Sequence, residues 1–517
     1  MHTIAQNDSH HWLVPSPDFG SLEGVESSDV VNSVLTLPGQ VPRRVAVAAS
    51  IVAILVGVLT AINPLWFGVA VAGIPTALLL SQHALARTII ALFGGILVLQ
   101  LSSAVTIEKV GYLGAVVVAT ACAAVNIWQR RSTVVECGAR PILFAAAAVA
   151  AVIGISAAVA VSNGTALDSW AIDTPAYWLL VASVILGVDL GVSGVGPRTI
   201  TFLLLVAAIA SAASYAVNWW DVRNLLLVPI AHLFFPSMFL PGAAISLATA
   251  KYFAGQMPYR MVLLTFALIS AILVTGTRAG VILVLPIFVV LGASPWRRRL
   301  KAIPGATIAL AAMALLASTV GTVAETGGLE LATVQARFAS MVPIVLNGDP
   351  NADPSLYART RETAVLYERW SSNIWLGVGP GQAYLNTTPS SHGVVTLSRI
   401  AVDSPLVPFE RFGLVGVAAL LSLFLILLFG RLRRHAGGVE STALLAFVIC
   451  VLAFAFLSSP LDDKGVALGL IPLIGLCGAV RRVDAAAVPQ SSAQLAPSLG
   501  ERHFSPLALG QLRQGPG

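Results

Sequence analysis

Long apolar stretches, separated by short polar connections, follow one another along most of the chain. Each holds about 20 mostly apolar residues, the length at which a helix crosses the roughly 30 Å hydrocarbon core of a bilayer. They are too long and too uniformly apolar for barrel strands, in which polar and apolar side chains alternate. We predict about twelve to fourteen spanning helices, at residues 45–62, 65–81, 88–106, 110–128, 141–162, 175–195, 199–218, 224–250, 261–277, 280–295, 302–320, 412–430, 441–459 and 465–480.

The composition agrees with a membrane protein and excludes other classes. Of the 517 residues, 57% are hydrophobic and only 10% are charged, whereas a soluble domain carries about 25% charged residues. This excludes a soluble enzyme and a disordered chain. The net charge of +6 does not indicate a nucleic-acid partner. The basic residues lie in the connections between the spans, where they set the orientation in the membrane. We predict an all-α fold, a polytopic transmembrane helical bundle in the lipid bilayer.

The basic residues orient this bundle. When the apolar stretches are threaded as alternating spans, most arginines and lysines fall on connections at one side. Positively charged connections stay in the cytoplasm, so both termini are predicted to be cytoplasmic in a multi-pass protein of the cell membrane. The residues that set the orientation are Arg43, Arg44, Arg87, Arg130, Arg131, Arg140, Arg198, Lys251, Arg260, Arg297, Arg298, Arg299, Lys301, Arg431, Arg433, Arg434, Arg481 and Arg482.

The same threading divides the chain into five parts. Residues 1–42 form a polar cytoplasmic tail, and residues 43–320 hold the first eleven spans. Residues 321–408 form one large extracytoplasmic loop, and residues 409–483 hold the last three spans. Residues 484–517, rich in Ala, Pro, Gln, Ser and Gly, are predicted to be a disordered cytoplasmic tail.

The long outer loop carries the candidate chemistry, since a connection of this length is usually functional or disordered. Its aromatic residues favour order, and residues 356–370 have helical spacing. All its strongly basic residues are arginines, and guanidinium groups suit phosphate. These arginines, with the one at the entry to the next span, are Arg337, Arg359, Arg361, Arg369, Arg399 and Arg411.

A glycine-rich segment follows the predicted loop helix. Gly377, Gly379 and Gly381 lie in the sequence GVGPG. Their amides could bind an anion, or the glycines could simply allow a tight turn. A dinucleotide site is excluded because no βαβ unit surrounds the segment.

Several motifs in this region resemble those of the O-antigen ligase and O-antigen polymerase superfamily. Arg359 and Trp370 are followed by WLGVGPG at residues 375–381 and by VDSPLVPFERFGLVG at residues 402–416. The family has an Arg-led helix, a glycine turn, a His-Asn or Asp-Asn pair and an E-x-G-x-x-G entry to the next helix. TGTRAG at residues 275–280 is similar to its Ser-Arg-Gly motif.

The sequence also departs from the family pattern. Val402 stands where a ligase has histidine, and Asp403 stands at the following asparagine. Asp403 therefore looks more like the Asp-containing polymerase form, and the choice between ligase and polymerase stays open. Arg411 stands where an acidic residue is common in the family.

The resemblance implies transfer of a saccharide from a polyprenyl-diphosphate-linked donor to a hydroxyl of a glycan or lipid-linked acceptor at the outer face. Positioned cations would stabilise the diphosphate, and a base would take the hydroxyl proton. We expect no cofactor and no metal. The candidate residues are Arg278, Arg359, Arg361, Arg223, Gly377, Gly379 and Gly381 for the diphosphate, and Asp403, then His392, for catalysis.

Structural explanations compete with these roles. Arg278 could extend to the lipid headgroups, Arg359 could pair with Glu362 along a helix, and Asp403 could cap the helix that follows. A polysaccharide or lipid transporter or flippase without bond chemistry is the alternative function, and a non-catalytic scaffold is a third. Transporters place ionisable residues in their spans, where Asp189 is the main candidate.

Overall fold

The computed structural model describes residues 80–99, 107–223, 238–257, 267–268, 282–294, 354–382, 386–390, 393–397, 404–432, 438–456 and 458–487. The chain divides into two units, Met1–Pro75 and Thr76–Gly517, and every described residue belongs to the second. The helices are α1 (Ala84–Val98), α2 (Ile107–Gln129), α3 (Arg131–Glu136), α4 (Arg140–Ser162), α5 (Leu167–Asp173), α6 (Pro175–Val192), α7 (Pro197–Arg223), α8 (Phe239–Phe253), α9 (Leu285–Ala293), α10 (Pro354–Ser372), α11 (Val407–Leu432), α12 (Val439–Ala455) and α13 (Lys464–Ala487).

Five of the described helices are long and apolar enough to cross a membrane, namely α2, α4, α6, α11 and α13. Large apolar side chains such as Phe144, Val117 and Phe202 are largely exposed on the bundle surface, as they would be toward lipid. The expected all-α membrane bundle is confirmed in this coarse form. The predicted spans 45–62, 65–81, 261–277 and 302–320 lie almost entirely outside the described residues.

One element departs from the all-α prediction. Strands β1 (Asn386–Ser390) and β2 (Gly393–Leu397) pair antiparallel, with Asn386 opposite Leu397 and Ser390 opposite Gly393. They fall in the segment predicted to be the long outer loop. Their threonines and valines explain the departure, because β-branched residues favour extended backbone.

The centre of the bundle is the contact between α6 and α13, the most extensive between any two described elements. Small residues make this approach possible, since a Cβ atom at Gly191 would lie 3.0 Å from the Cα atom of Gly478. One turn earlier, a Cβ atom at Gly187 would lie 2.9 Å from the carbonyl oxygen of Ile471. Glycine rows of this kind let helices pack closely where both surfaces are apolar.

The described charged residues gather at two opposite ends of the bundle. At one end, Arg130 donates to the Val192 carbonyl over 3.0 Å and Arg481 to the Cys137 carbonyl over 2.8 Å; we call this the arginine end. At the other, the end of α4, the start of α6 and the first turn of α11 meet, and we call it the loop end. Helices α4 and α6 therefore run in opposite directions between these two ends, and the side of the membrane that each end faces stays a prediction.

The prediction that Arg87 lies in a connection is wrong. Arg87 lies in the first turn of α1 and is 1% exposed. Its Nε donates to Asp189 Oδ2 over 2.8 Å, and Asp189 Oδ1 also accepts a hydrogen bond from Asn126 over 2.5 Å. A buried charge is tolerated when it is paired and hydrogen-bonded. The helix can therefore begin before Arg87, whereas hydropathy begins the span only after it, at residue 88.

Candidate functional site

Helix α10 packs against the entry of α11 at the loop end. Leu366 and Val407 bury each other completely, with 0% and 1% exposure. The hydroxyls of Thr363 and Ser404 lie 2.9 Å apart, and Ser404 is itself fully buried. The expected helix at residues 356–370 is confirmed as part of α10, and these contacts fix its position on the bundle.

Trp370, one of the residues that carry the family resemblance, ties the end of α10 to the glycine turn. Its indole NH donates to the Ile374 carbonyl over 3.1 Å. Its ring meets Phe409 edge-on with centroids 5.2 Å apart. The tryptophan therefore joins the loop helix, the turn and the first turn of α11.

The glycine turn and the entry of α11 are joined backbone to backbone. The Val378 amide donates to the Glu410 carbonyl over 2.8 Å, and the Leu414 amide donates to the Ile374 carbonyl over 2.9 Å. Gly377 has φ 70° and Gly413 has φ 62°, a region that side chains other than glycine's rarely adopt. A Cβ atom at Gly413 would collide with the carbonyl group of Trp375. These glycines are thus required by the close crossing of two chain segments.

Gly379 and Gly381 extend this packing to neighbouring helices. A Cβ atom at Gly379 would lie 2.7 Å from Ala160 of α4, and one at Gly381 would lie 2.5 Å from the backbone of Ser169 in α5. Asn163, at the end of α4, donates through Nδ2 to the Val378 carbonyl over 2.9 Å. The turn is therefore held by three separate parts of the bundle.

Several turn amides already have acceptors within the protein. The Gly377 amide donates to the Asn373 carbonyl over 2.8 Å, and the Gly381 amide donates to Asp173 Oδ2 over 2.9 Å. Such bonds are typical of a structural turn, which is one of the two interpretations of the glycine-rich segment; the other is anion binding. A direct phosphate contact stays a prediction, and it would have to use other amides or displace these acceptors.

Two ion pairs surround the turn. Arg369 Nη1 of α10 lies 3.7 Å from Glu410 Oε1, and Glu410 is 4% exposed. Arg411 Nη2 lies 3.8 Å from Asp173 Oδ2, and its guanidinium stands over the Tyr177 ring at 5.9 Å. Asp173 thereby contacts both the turn and the entry of α11. The site is a cluster of paired charges at the loop end of the bundle.

The predicted site residues are described to different extents. Arg359 and Arg361 lie on α10, and Arg223 is the last residue of α7, but their side-chain contacts are not described. Arg278, His392 and Asp403 lie outside the described residues, with Asp403 directly before the buried Ser404. Of the predicted set, the structure brings Gly377, Gly379 and Gly381 together, and their roles toward a diphosphate stay predictions.

The sequence motifs did not indicate Glu410, Arg369 or Asp173 as site residues. A usable signal was present for Glu410, because a carboxylate in the first turn of a long apolar helix needs a partner when it is buried. Glu410 directly precedes Arg411, so this turn holds a carboxylate beside the arginine. Arg369 and Asp173 are distant in sequence from their partners, and only packing reveals them.

Two further observations concern metal binding and similarity to known proteins. Across the part of the chain that the structure describes, His, Cys, Asp and Glu form no group of three or more that could hold a metal ion. In comparisons with known proteins, no protein-family model and no curated protein matches the chain.

Proposed function

We propose that the protein is a membrane ligase or polymerase of the O-antigen ligase and polymerase type. It transfers a saccharide from a polyprenyl-diphosphate-linked donor to a hydroxyl of a glycan or lipid-linked acceptor. The reaction takes place at the outer face of the cytoplasmic membrane. The reaction class comes from the motif resemblance, and the geometry of the loop end supports it.

The attachment of α10 to the entry of α11 is the observation that carries the proposal. Helix α10 bears three arginines, Arg359, Arg361 and Arg369. Arg411, in the first turn of α11, lies next to this helix. Catalysis of diphosphate departure needs cations that are already in place when charge develops. The glycine crossing and the buried contacts of this region hold α10 in place on the bundle, which a loosely tethered loop would not.

The proposed reaction is a substitution at the anomeric carbon of the donor sugar. The acceptor oxygen forms a bond to the anomeric carbon while the bond from that carbon to the diphosphate oxygen breaks. The hydroxyl proton passes to Asp403, with His392 as the second candidate, and polyprenyl diphosphate leaves with the bonding electron pair. Arg278 and Arg359 stabilise its charge, with Arg361 and Arg223 as further candidates. No oxidant, reductant or resident cofactor is needed.

Arg369, Glu410, Arg411 and Asp173 act as positioning residues in this scheme. Glu410 neutralises Arg369 at the end of α10, and Asp173 neutralises Arg411 next to the turn. A paired arginine holds its helix in place but has less charge to offer a substrate. Arg359 and Arg361, earlier in α10, stay the candidates for diphosphate contact.

Complementation tests the proposal. The gene is deleted, surface polysaccharide is profiled, and the strain is restored with Arg278→Ala, Arg359→Ala or Asp403→Ala. With each variant, the long polysaccharide chains are expected to stay absent from the surface, although the variant protein is present in the membrane. Arg131→Ala, an exposed arginine at the opposite end, is the matched control and should restore fully. Full restoration of the chain-length distribution by all three site variants would refute a catalytic role.

Transport without bond chemistry is the second candidate function, and the buried Arg87–Asp189 pair is the observation that favours it. Transporters use ionisable residues within their spans. The pair lies close to the arginine end, however, and Asp189 is saturated by Arg87, Asn126 and Ser193, as in a fixed structural link. The sidedness of lipid-linked intermediates in the deletion strain separates the functions: a transferase leaves them at the outer leaflet, and a flippase leaves them at the inner leaflet.

A further inference from the structure

A cavity of about 580 Å³ lies between α4, α6, α11, α12 and α13 at the arginine end. Its walls are mainly apolar and include Ile142, Val188, Leu427, Phe429, Leu444 and Ile474. The volume is in the range of roughly 300–1,000 Å³ that small-molecule sites occupy. The cavity lies at the end of the bundle opposite to the proposed transfer site.

One lining residue gives the cavity a charged edge. Arg481 is the only charged residue among the described residues that line it. Its Nη1 donates to the Cys137 carbonyl over 2.8 Å, which holds the guanidinium beside the lining segment at residues 137–139. Arg482 follows directly, and both arginines exert a positive field at the Cys137 thiol. The site therefore combines an apolar interior with fixed positive charge on one side.

The apolar walls and the charged edge indicate what the cavity binds. An acyl chain gains free energy from leaving water for apolar surroundings, and an anionic headgroup gains from the guanidinium group of Arg481. Basic pockets between membrane helices on the cytoplasmic side bind anionic lipid headgroups for these reasons. A zwitterionic lipid would gain only the apolar part, and a soluble phosphate only the ionic part.

We infer that this cavity binds one anionic membrane phospholipid, with an acyl chain between α11 and α13 and its phosphate at Arg481. The site does not depend on the proposed transferase activity. The bound lipid stabilises the packing of α4, α11 and α13 at the arginine end.

Native mass spectrometry of the purified full chain in detergent tests the site. Phosphatidylglycerol and phosphatidylcholine are added at equal concentrations, and the bound fractions are compared. The wild-type protein is expected to retain phosphatidylglycerol at least about fivefold better, because each arginine near a lipid headgroup contributes a factor of about that size. Equal retention of the two lipids would overturn the inference.

Two variants separate the charge from the cavity. Arg481→Gln is expected to remove the about fivefold preference, and Arg481→Lys to restore most of it. Gly430→Trp places a ring at the cavity edge, where an added Cβ meets nothing within 4 Å, and should lower the binding of both lipids. Arg198→Gln is the matched control, since Arg198 is exposed at the same end and does not line the cavity.

Three results would contradict the site. If Arg481→Gln behaves like Arg198→Gln, the charge does not select the lipid. If Gly430→Trp leaves both lipids bound, they lie elsewhere on the surface. If soluble glycerol phosphate displaces phosphatidylglycerol, the site holds an anion and not a lipid. Should Arg481→Gln fail to fold, Gly430→Trp and the glycerol phosphate competition still decide the question.

Discussion

Gly377 and Gly413 cross so closely that a Cβ atom on Gly377 would lie 2.8 Å from the Gly413 amide nitrogen. The turn after α10 and the entry of α11 therefore meet without any side chain between them. Hydrogen bonds on both sides of the crossing hold it in place, from Val378 to Glu410 and from Leu414 to Ile374. This crossing restrains the position of the loop helix α10 relative to α11.

Replacing Gly377 with alanine should break this crossing. The added methyl would overlap the Glu410 carbonyl oxygen, and the positive φ of 70° would be strained. We expect a loss of about 1–3 kcal/mol of stability, measured by thermal unfolding in detergent, together with faster tryptic cleavage after Arg369. Gly154→Ala is the control, because a Cβ there meets nothing within 4 Å. Similar melting curves for both variants would show that the crossing is not tight in solution.

Asp173 should matter more as an acceptor than as a charge. It accepts from the Gly381 amide over 2.9 Å and lies 3.8 Å from Arg411, with 30% of its side chain exposed. Asp173→Asn keeps an acceptor and should cost less than Asp173→Ala. A double-mutant cycle with Arg411→Gln should give a coupling of about 0.5–1 kcal/mol, as for partly exposed pairs. A coupling above about 2 kcal/mol would mean that the pair is better shielded from water than this exposure indicates.

The Arg87–Asp189 pair should be costly to break from one side. Asp189→Ala would leave a buried arginine without its carboxylate, with an expected loss of about 3–5 kcal/mol. The double variant Arg87→Met with Asp189→Leu removes both charges and should recover much of that loss. Yield and melting temperature of the purified protein measure both effects. A double variant that is stable but still restores surface polysaccharide would also count against a transport role for this pair.

The Cys137 thiol should react slowly at neutral pH. Burial raises the pKa of this thiol, and Glu136 raises it further, while Arg481 and Arg482 partly offset the increase. The thiolate is the reactive form, so alkylation should accelerate at a higher pH than for a free thiol. The measurement is the pH profile of maleimide labelling in a chain whose Cys122, Cys450 and Cys477 are replaced by alanine. Unfolded protein is the control, and coincident profiles would show that the folded protein does not shift this pKa.

The sequence predicted the spans well where hydropathy is uniform. Residues 110–128 and 141–162 correspond to helices at Ile107–Gln129 and Arg140–Ser162, and the loop helix was found at the correct place. Helix boundaries near charged residues were harder to predict, because hydropathy places an arginine outside a span. Arg87 was misplaced for this reason, since its partner Asp189 belongs to a different helix.

The candidate site was predictable only in its local motifs. The glycine turn was visible in the sequence, but its crossing with Gly413 was not, because the two segments are more than 30 residues apart. The Glu410–Arg369 and Asp173–Arg411 contacts join segments that hydropathy treats as separate. A pattern along one chain cannot rank such partners, because each charge has several equally suitable candidates until the helices pack.

The Glu410 carboxylate offers a test that distinguishes positioning from folding. Glu410→Gln keeps the size of the side chain and the backbone bond from Val378, but it removes the charge that faces Arg369 at 3.7 Å. We expect a folded protein with saccharide transfer reduced roughly tenfold. This corresponds to an increase of about 1.4 kcal/mol in the activation free energy, because α10 is oriented less well. Arg369→Lys keeps the positive charge and should retain more activity than Arg369→Gln. If Glu410→Gln transfers at the wild-type rate while Gly377→Ala does not, the backbone crossing alone positions the loop helix and the ion pair is dispensable.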